Sequence, residues 1–248
     1  MKPIIATFGL FVLFVIIYSF SEKTNMKEES VYNVARLRQP IKIDAIWDKP
    51  QWRDIQPINI TNYMGTIPGF RPQAQAKMMY DENNIYIIFN VKDRYVRCLT
   101  KDINGPVWED GAVEFFFAPD SGQPLLYFNL ETNCGGTPLM HYNIVPRKES
   151  KELATDDIKE IEIAHTLPRI IDPEIADPVT WTLEYRIPIA MLERYSRITH
   201  PKEGVEWRAN FYKIAENNSN HHYITWSVIE NEIPDFHKPQ FFGKLKFE

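Results

Sequence analysis

The sequence contains little of what several functional classes require. Its 248 residues include two cysteines and no cluster of basic side chains, and Asp and Glu outnumber Lys and Arg by 33 to 28. Nucleic-acid binding is therefore excluded, because it needs dense Lys and Arg to neutralise phosphates. Cys98 and Cys134 are too few and too far apart in sequence to predict a zinc site. Their spacing leaves open whether they form a disulfide in an oxidising compartment or remain two buried thiols.

The short motifs of common enzymes are also missing. There is no G-x-S-x-G, no H-E-x-x-H and no glycine-rich phosphate loop. A glycosidase with two carboxylates is harder to exclude, because its acids can come from any strand. The best pair is Asp110 and Glu114, which would lie about 13 Å apart along one strand. That separation exceeds the roughly 5–9.5 Å used by this chemistry, so we do not expect an enzyme.

The N-terminus carries the longest apolar run of the sequence. Residues 4–20 are almost wholly apolar and follow Lys2, and Ser19-Phe20-Ser21 resembles a cleavage site. This pattern predicts a signal peptide over residues 1–21. The alternative is an uncleaved membrane anchor, although the run is short for a spanning helix. Residues 22–33 are polar and predict a tether. A signal peptide and a membrane anchor both predict an exported protein, which would contact a membrane only through an uncleaved apolar run at its N-terminus.

Strand patterns dominate residues 34–248, which no composition break or repeat divides. Residues 76–80 and 85–91 flank the turn Asp81-Glu82-Asn83-Asn84, which is typical of a β-hairpin. Residues 180–188 alternate between apolar and polar side chains, which predicts a strand with one face in water. A short helix is predicted at 190–195. Further strands are predicted at 112–118, 125–131, 158–166, 206–214, 223–228 and 242–247.

These short strands, with 18 prolines in the chain, predict an all-β fold. We expect an antiparallel β-sandwich with one or two short helices, forming one domain over residues 34–248. Trp181, Trp207 and Trp226 are predicted to be core or sheet-packing rings. Trp47 and Trp52 are predicted to pin the N-terminal part of the domain.

The most informative stretch runs from Trp108 to Phe117. Trp108 stands at the entrance of a predicted strand, beside acidic residues, and Glu114 interrupts an otherwise apolar run. A charge inside such a run costs several kcal/mol unless it is paired. Glu114 must therefore meet a cation, several donors or water, either as a buried salt bridge or as a contact to a ligand.

This stretch resembles a motif of the family-9 carbohydrate-binding modules, which belong to the wider DOMON-like group with its jelly-roll type of sandwich. Residues 108–120 look like the W-E-x-D-x-V-E-x-F-x-x-P-D pattern. Residues 43–52 resemble the opening I-D-G-x-x-D-x-x-W motif, with Ala45 in place of the glycine. Five other stretches resemble later motifs of the family and occur in the family's order. They begin at Met79, Trp181, Trp207, Trp226 and Pro239, and the whole resemblance covers residues 41–247.

The resemblance implies non-catalytic carbohydrate binding, with a terminal sugar clamped between two aromatic rings. The clamp positions correspond to Trp108 and to Phe236, where glycan binders of the family have Trp. Glu114 corresponds to an acid used against sugar hydroxyls, and Asn129 stands where family members have Arg. Asp110, beside Trp108 in the same motif, is also a candidate ligand-binding residue. A sugar ring stacks its C–H face on an aromatic ring. We therefore expect an aromatic-lined pocket between the Trp108 loop and the Phe236 loop.

Calcium is the only cofactor that the resemblance suggests. Asp44, Asp48 and Asp93 are the candidate ligands, although their spacing is not that of an EF-hand. The alternative is that these are ordinary surface acids.

Two other functional classes stay open. A structural or adhesive domain would keep the fold and lose the sugar site, which the departures at Phe236 and Asn129 favour. A haem-binding DOMON relative would need two axial ligands facing one pocket, commonly Met and His. The expected partners are a carbohydrate and, in trans, a glycoside hydrolase. The candidate haem ligands are Met64, Met78, Met79, Met140, His141 and His165.

Overall fold

A computed structural model describes residues 29–248. The predicted signal peptide or anchor, and most of the predicted tether, lie outside the described residues. Within residues 29–248, no helix is long and apolar enough to span a membrane. The strands are β1 (Val31–Arg36), β2 (Ile58–Ile60), β3 (Asn62–Met64), β4 (Gln73–Tyr80), β5 (Asn84–Asp93), β6 (Val96–Cys98), β7 (Ala112–Ala118), β8 (Tyr127–Asn133), β9 (Pro138–Val145), β10 (Glu149–Glu152), β11 (Glu162–His165), β12 (Ile171–Ile175), β13 (Val179–Pro188), β14 (Glu206–Ala215), β15 (His222–Thr225) and β16 (Gly243–Phe247).

The helices are single turns. The sequence predicts one or two short helices, and the described residues contain three, each of four residues. Helix α3 lies at the predicted position but is shorter, and α2 takes the start of the strand predicted at 158–166. Acidic side chains in the first turn of α2 stabilise the N-terminus of a helix. The helices are α1 (Pro50–Arg53), α2 (Thr155–Ile158) and α3 (Ile189–Leu192), with 3₁₀ turns at Val107–Glu109 and Pro239–Phe241.

Two sheets pack against each other, and β1 belongs to both. The first has the order β10-β9-β8-β7-β14-β16-β1, and the second has the order β1-β4-β5-β13-β11. Residues 31–34 pair with β16 and residues 35–36 pair with β4. The predicted all-β sandwich is confirmed. The pairings of β1 are parallel, however, and residues 31–33, predicted as tether, form its beginning.

The core between the sheets is aromatic. Phe115 and Phe117 of β7 stack with ring centroids 4.5 Å apart. Phe89 of β5 reaches across, with its centroid 6.1 Å from both Tyr185 and Phe211. These rings belong to one buried cluster that spans both sheets. The predictions for the tryptophans hold here, since Trp181 and Trp207 are buried and Trp226 packs against the same cluster.

Strand β7 is buried on both faces, which explains its nearly continuous apolar sequence. Val113, Phe115 and Phe117 face the core between the sheets. Phe116 faces outward into a second buried cluster, beneath residues 229–242. This second layer forms only over part of the first sheet, and Glu114 lies at its edge.

The predicted wet face of β13 is wrong at Glu184, which is fully buried. The segment around α1 covers this face of the second sheet and places Trp52 against Ile43 and Ile88. The Glu184 carboxylate accepts a hydrogen bond from Trp52 Nε1 at 2.8 Å. Trp52 thus pins the N-terminal part of the domain, as predicted.

Cys98 and Cys134 are both buried as free thiols. A hydrogen bond with Cys98 raises the pKa of the Cys134 thiol well above its usual range, and burial raises it further. The two side chains are therefore neighbours inside the protein. In this structure they are not joined by a disulfide.

Candidate functional site

A cleft of about 370 Å³ opens on the outer face of the first sheet. Its floor consists of side chains that alternate along their strands with core residues. These floor residues include Glu114 of β7 and Asn129 of β8. Trp108 of the 3₁₀ turn and Phe236 of the loop after β15 both line it. The predicted pocket between these two loops is therefore present.

Trp108 is held at the cleft by the backbone of its turn. The amide of Glu216, which follows β14, donates to the Trp108 carbonyl at 3.3 Å, and Asn217 N donates to the Glu109 carbonyl at 2.8 Å. The indole itself is half-buried and packs beside the second apolar cluster. Its position thus depends on backbone hydrogen bonds, and part of the ring stays open to a ligand.

Phe236 also lines the cleft, but little of its ring is exposed. It stacks on Tyr212 with centroids 4.1 Å apart and is 5% exposed. Tyr223 packs edge-on against Phe236 at 5.8 Å and is more open to the cleft. Tyr223 was not predicted from the sequence, because it lies inside a predicted strand. Tyr223 and Phe236 therefore line the cleft together with Trp108.

Two carboxylates lie side by side on the floor. Glu114 of β7 is directly opposite Glu131 of β8, so both side chains project from the same face. Glu114 is 1% exposed and Glu131 is 5% exposed. Glu114 Oε2 has no hydrogen-bond partner among residues 29–248. Glu114 was predicted from the sequence but Glu131 was not, although the alternation of Asn129 and Glu131 with apolar residues was a signal for a polar strand face.

Burial changes the acidity of both groups. It raises the pKa of Glu114 well above its usual range, and the charge of Glu131 raises that pKa further. Burial also raises the pKa of Glu131 to about 7, against the opposing effect of the hydrogen bond from Asn129. Like charges directly opposite each other destabilise a sheet, so the pair is under strain when both groups are ionised.

A chain of amides runs along the floor beside these acids. Asn143 Nδ2 donates to Asn129 Oδ1 at 2.6 Å, and Asn129 Nδ2 donates to Glu131 Oε1 at 2.8 Å. The three side chains are buried. This chain fixes the orientation of Asn129, which the structure places in the cleft as predicted.

The walls carry further polar groups that sequence reasoning did not identify. Arg147 donates to Asp235 Oδ1 at 2.8 Å, which ties the loop after β9 to the Phe236 loop. Tyr127 Oη lies 2.7 Å from His237 Nδ1. Burial lowers the pKa of His237 to about 3, so this imidazole is neutral. Tyr223 donates to Glu216 at 2.8 Å.

Asp110 does not line the cleft, in contrast to the prediction. Its carboxylate accepts from Leu99 N at 2.8 Å, from Thr100 N at 2.9 Å and from Asn133 Nδ2 at 2.9 Å. These donors satisfy it inside the protein. Asp110 therefore fixes the start of β7 and the neighbouring Trp108 turn.

The three aspartates proposed for calcium are not gathered. Asp44 accepts from Lys49 at 2.8 Å, and Asp93 pairs with the buried Lys213 at 3.1 Å. No group of three or more acidic, His or Cys side chains suited to a metal ion occurs in the described part of the chain. In the described residues, Asp44, Asp48 and Asp93 therefore do not form a common set of ligands for calcium.

The candidate haem ligands are also separated. Met78 and Met140 lie in the core between the sheets, and Met79 lies on the outer face of the second sheet. Of the six candidates, only His141 lines the cleft. An axial Met and His pair is therefore not assembled there.

The Glu131 side chain makes stability depend on pH. Its folded pKa of about 7 lies above the unfolded value of about 4.3. The stability it contributes is therefore complete at low pH and is lost as pH rises through about 7. We expect Glu131→Gln, which keeps an oxygen for Asn129, to stabilise the protein by about 2 kcal/mol at about pH 8. This is less than the full pKa difference would give, because Glu114 titrates with Glu131.

Urea unfolding at about pH 5 and about pH 8 measures this effect. The matched control is Glu149→Gln, which removes an exposed carboxylate on the edge strand β10. An equal response of both variants to pH would contradict the assignment.

Comparisons with known proteins agree with this architecture. The model of carbohydrate-binding family 9 matches residues 42–247. The structure is similar to that of a candidate carbohydrate-binding protein from Bacteroides uniformis, with 25% identity and a TM-score of 0.79 over 89% of this chain and 100% of that chain. A search of curated proteins found no match.

Two further similar structures are of a family 9 module from Caldicellulosiruptor kristjanssonii. The complex with cellotriose is 16% identical, with a TM-score of 0.61 over 88% of this chain and 94% of that chain. The complex with glucose is 17% identical, with a TM-score of 0.58 over 88% of this chain and 96% of that chain. At these identities the likeness concerns the fold.

Proposed function

Since the chain belongs to carbohydrate-binding family 9, and is therefore a non-catalytic carbohydrate-binding protein, we propose that the cleft beside Trp108 holds the terminal sugar of its ligand. The observation that carries this proposal is the pairing of aromatic walls with a polar floor. Trp108 offers its ring to the C–H face of a sugar, and Tyr223 and Phe236 close the other side. Sugar rings have one apolar face and a polar rim, so they match such a site.

The floor supplies the polar partners that hydroxyl groups need. Glu114 Oε2 is a buried acceptor that the described protein residues leave unpaired. Leaving such a group unsatisfied costs about 1–3 kcal/mol, and a sugar hydroxyl that donates to it removes this cost. Glu131 and Asn129 lie next to it on β8. The cleft is therefore prepared for a ligand with several hydroxyl groups.

Two similar structures support a choice of ligand class. The module from Caldicellulosiruptor kristjanssonii was solved with cellotriose and with glucose. The end of a glucan is accordingly the first ligand to test. Export, supported by the apolar run at residues 4–20, and cooperation with a glycoside hydrolase in trans belong to the same proposal.

Isothermal titration tests the proposal on the purified protein. We expect heat of binding with glucose, cellobiose or cellotriose, and a weaker response with xylobiose. Calcium or a chelator should change nothing, because the described residues hold no group of three acidic, His or Cys side chains suited to a metal ion. If the folded protein gave no heat of binding with any of the four sugars, the structural or adhesive alternative would be favoured.

A further inference from the structure

The two floor carboxylates are more than a neutral sugar requires. Glu114 and Glu131 are directly opposite each other and buried. One oxygen of Glu131 accepts from Asn129, whereas Glu114 Oε2 has no partner in residues 29–248. A buried charge is normally paired or held by several donors. The protein thus presents two neighbouring buried carboxyl groups, with few hydrogen bonds of their own, to whatever enters the cleft.

The cations near the cleft are engaged elsewhere or lie at its mouth. Arg147 is bound to Asp235, which also pairs with Lys238 at 3.2 Å. Lys213 projects from β14 into the interior and pairs with Asp93 at 3.1 Å. Lys148 lines the cleft but is exposed. None of these side chains is bonded to Glu114 or Glu131.

A metal ion is a poor match for the carboxyl pair of Glu114 and Glu131. Divalent cations such as calcium take six to eight oxygen ligands, usually from several carboxylates and carbonyl groups. The part of the chain that the structure describes holds no suitable group of three or more acidic, His or Cys side chains. A singly charged cation that brings its own hydrogen-bond donors fits two carboxylates better.

We infer that the cleft selects a sugar with a protonated amino group, of the 2-amino-2-deoxyhexose class, whose ammonium lies between Glu114 and Glu131. The inference rests on the proposed function and names the class of its ligand. An ammonium has three donors, which suit Glu114 Oε2, the free oxygen of Glu131 and one further acceptor. The sugar ring stacks on Trp108 as a neutral sugar would.

The acidity of the site supports this assignment and provides a second readout. Burial raises the pKa of both glutamates, so the empty site retains a proton near neutral pH. An ammonium that enters between the carboxylates displaces that proton into solution, whereas a neutral sugar does not require its release. The charged or titratable groups that face the pair from neighbouring elements are Glu216, Arg147, Asp235, His141, His237 and Lys213.

The experiment compares glucosamine, glucose and N-acetylglucosamine by isothermal titration at about pH 6.5. At this pH an amine resembling an α-amino group, with a pKa of about 8, is protonated. We expect glucosamine to bind about tenfold more tightly than glucose, as expected for one charge-assisted hydrogen bond. N-acetylglucosamine keeps the ring but lacks the charge, and should not show this gain. Titrations in buffers of different ionisation enthalpy should reveal proton release with glucosamine alone.

Variants of the pair provide the control. In Glu114→Gln and in Glu131→Gln, the ratio of glucosamine to glucose affinity should fall to about one. Glu149→Gln, on the exposed edge strand, should leave the ratio at about ten. The ratio is unaffected by a general loss of affinity, so it separates charge recognition from damage to the cleft.

The outcomes distinguish this inference from the proposed function. Glucose and glucosamine that bind equally, without proton release, would overturn the inference and leave the sugar site in place. Binding of none of the three sugars, by protein shown to be folded, would overturn the proposed function itself. Selective glucosamine binding that survives both substitutions would place the ammonium elsewhere and refute the assignment.

Discussion

Replacement of Trp108 by alanine is expected to abolish sugar binding while the protein remains folded. Trp108 lines the cleft at the turn before β7, and its indole is only half-buried. Truncating a central aromatic anchor typically costs about 2–4 kcal/mol, or roughly 30- to 1,000-fold in affinity. Such a loss would bring a sugar of ordinary affinity below detection in a titration.

The fold should survive because backbone contacts hold the Trp108 turn. Its carbonyl accepts from Glu216, and the next carbonyl accepts from Asn217. Asp110, the residue after the turn, is anchored by hydrogen bonds from the amides of Leu99 and Thr100 to its carboxylate. None of these bonds involves the indole. Circular dichroism and thermal unfolding of Trp108→Ala should therefore resemble those of the unaltered protein.

Trp47→Ala is the matched control for this experiment. Trp47 is also half-buried, but it lies on the second sheet, where the Lys77 ammonium lies 4.3 Å from its ring centroid. Its removal should leave sugar affinity unchanged. Full affinity in Trp108→Ala, or an equal loss in both variants, would show that the ligand binds somewhere other than this cleft.

The candidate site was predictable where a charge interrupts an apolar strand. Glu114 stands out in the sequence of β7, and Trp108 precedes it at a turn, so both could be assigned to one site. Tyr223 could not be assigned, because it is one aromatic residue in a strand, and the alternation around Glu131 marks a polar strand face without placing that face beside Glu114. Glu131 and Tyr223 become site residues only through the pairing of β8 with β7 and of β15 with β14.

The fold was predictable where burial follows a simple pattern. Strand β7 was predicted with its observed limits, because both its faces are buried and its sequence is almost wholly apolar. Strand β9 was missed, because it begins with Pro138 and carries His141 and Asn143 on its cleft face. The polar residues that prepare the cleft for a ligand thus obscure the strand pattern.

Strand β13 shows the opposite error. Its alternation predicted a wet face, but a separate segment of the chain covers that face and buries Glu184. The local sequence of β13 carries no information about this cover. Glu184 is tolerated in the interior because its carboxylate accepts hydrogen bonds from the covering segment around α1.

Glu184→Gln is expected to destabilise the protein by about 3–5 kcal/mol, the usual cost of breaking a buried ion pair by removing one charge. Glu184 Oε2 accepts from Asp44 N at 2.9 Å and from Ala45 N at 2.8 Å. Lys49, which is 9% exposed, pairs with Oε1 at 2.7 Å. A glutamine would leave the Lys49 ammonium without this charge and turn an amide group toward backbone donors. The expected result is a large fall in the midpoint of urea unfolding.

Glu162→Gln is the matched control on the neighbouring strand β11. Its carboxylate pairs with Arg186 at 3.0 Å, but both side chains are about half exposed. Exposed pairs contribute about 0–1 kcal/mol, so this variant should unfold close to the unaltered protein. The same chemical change thus separates a buried charge from an exposed one. An equal, small effect in both variants would show that the segment around α1 does not depend on Glu184.

Glu184 lies on the second sheet, away from the cleft. Sugar affinity per folded molecule should therefore be unchanged in Glu184→Gln, whereas Trp108→Ala should lose affinity without losing stability. The two variants together separate the residue that binds the ligand from the residue that holds the domain together. If Glu184→Gln also lowered the affinity of the folded fraction, the two sheets would be coupled through the core. The aromatic contact between Phe89 and Phe211 would then be the first place to look for that coupling.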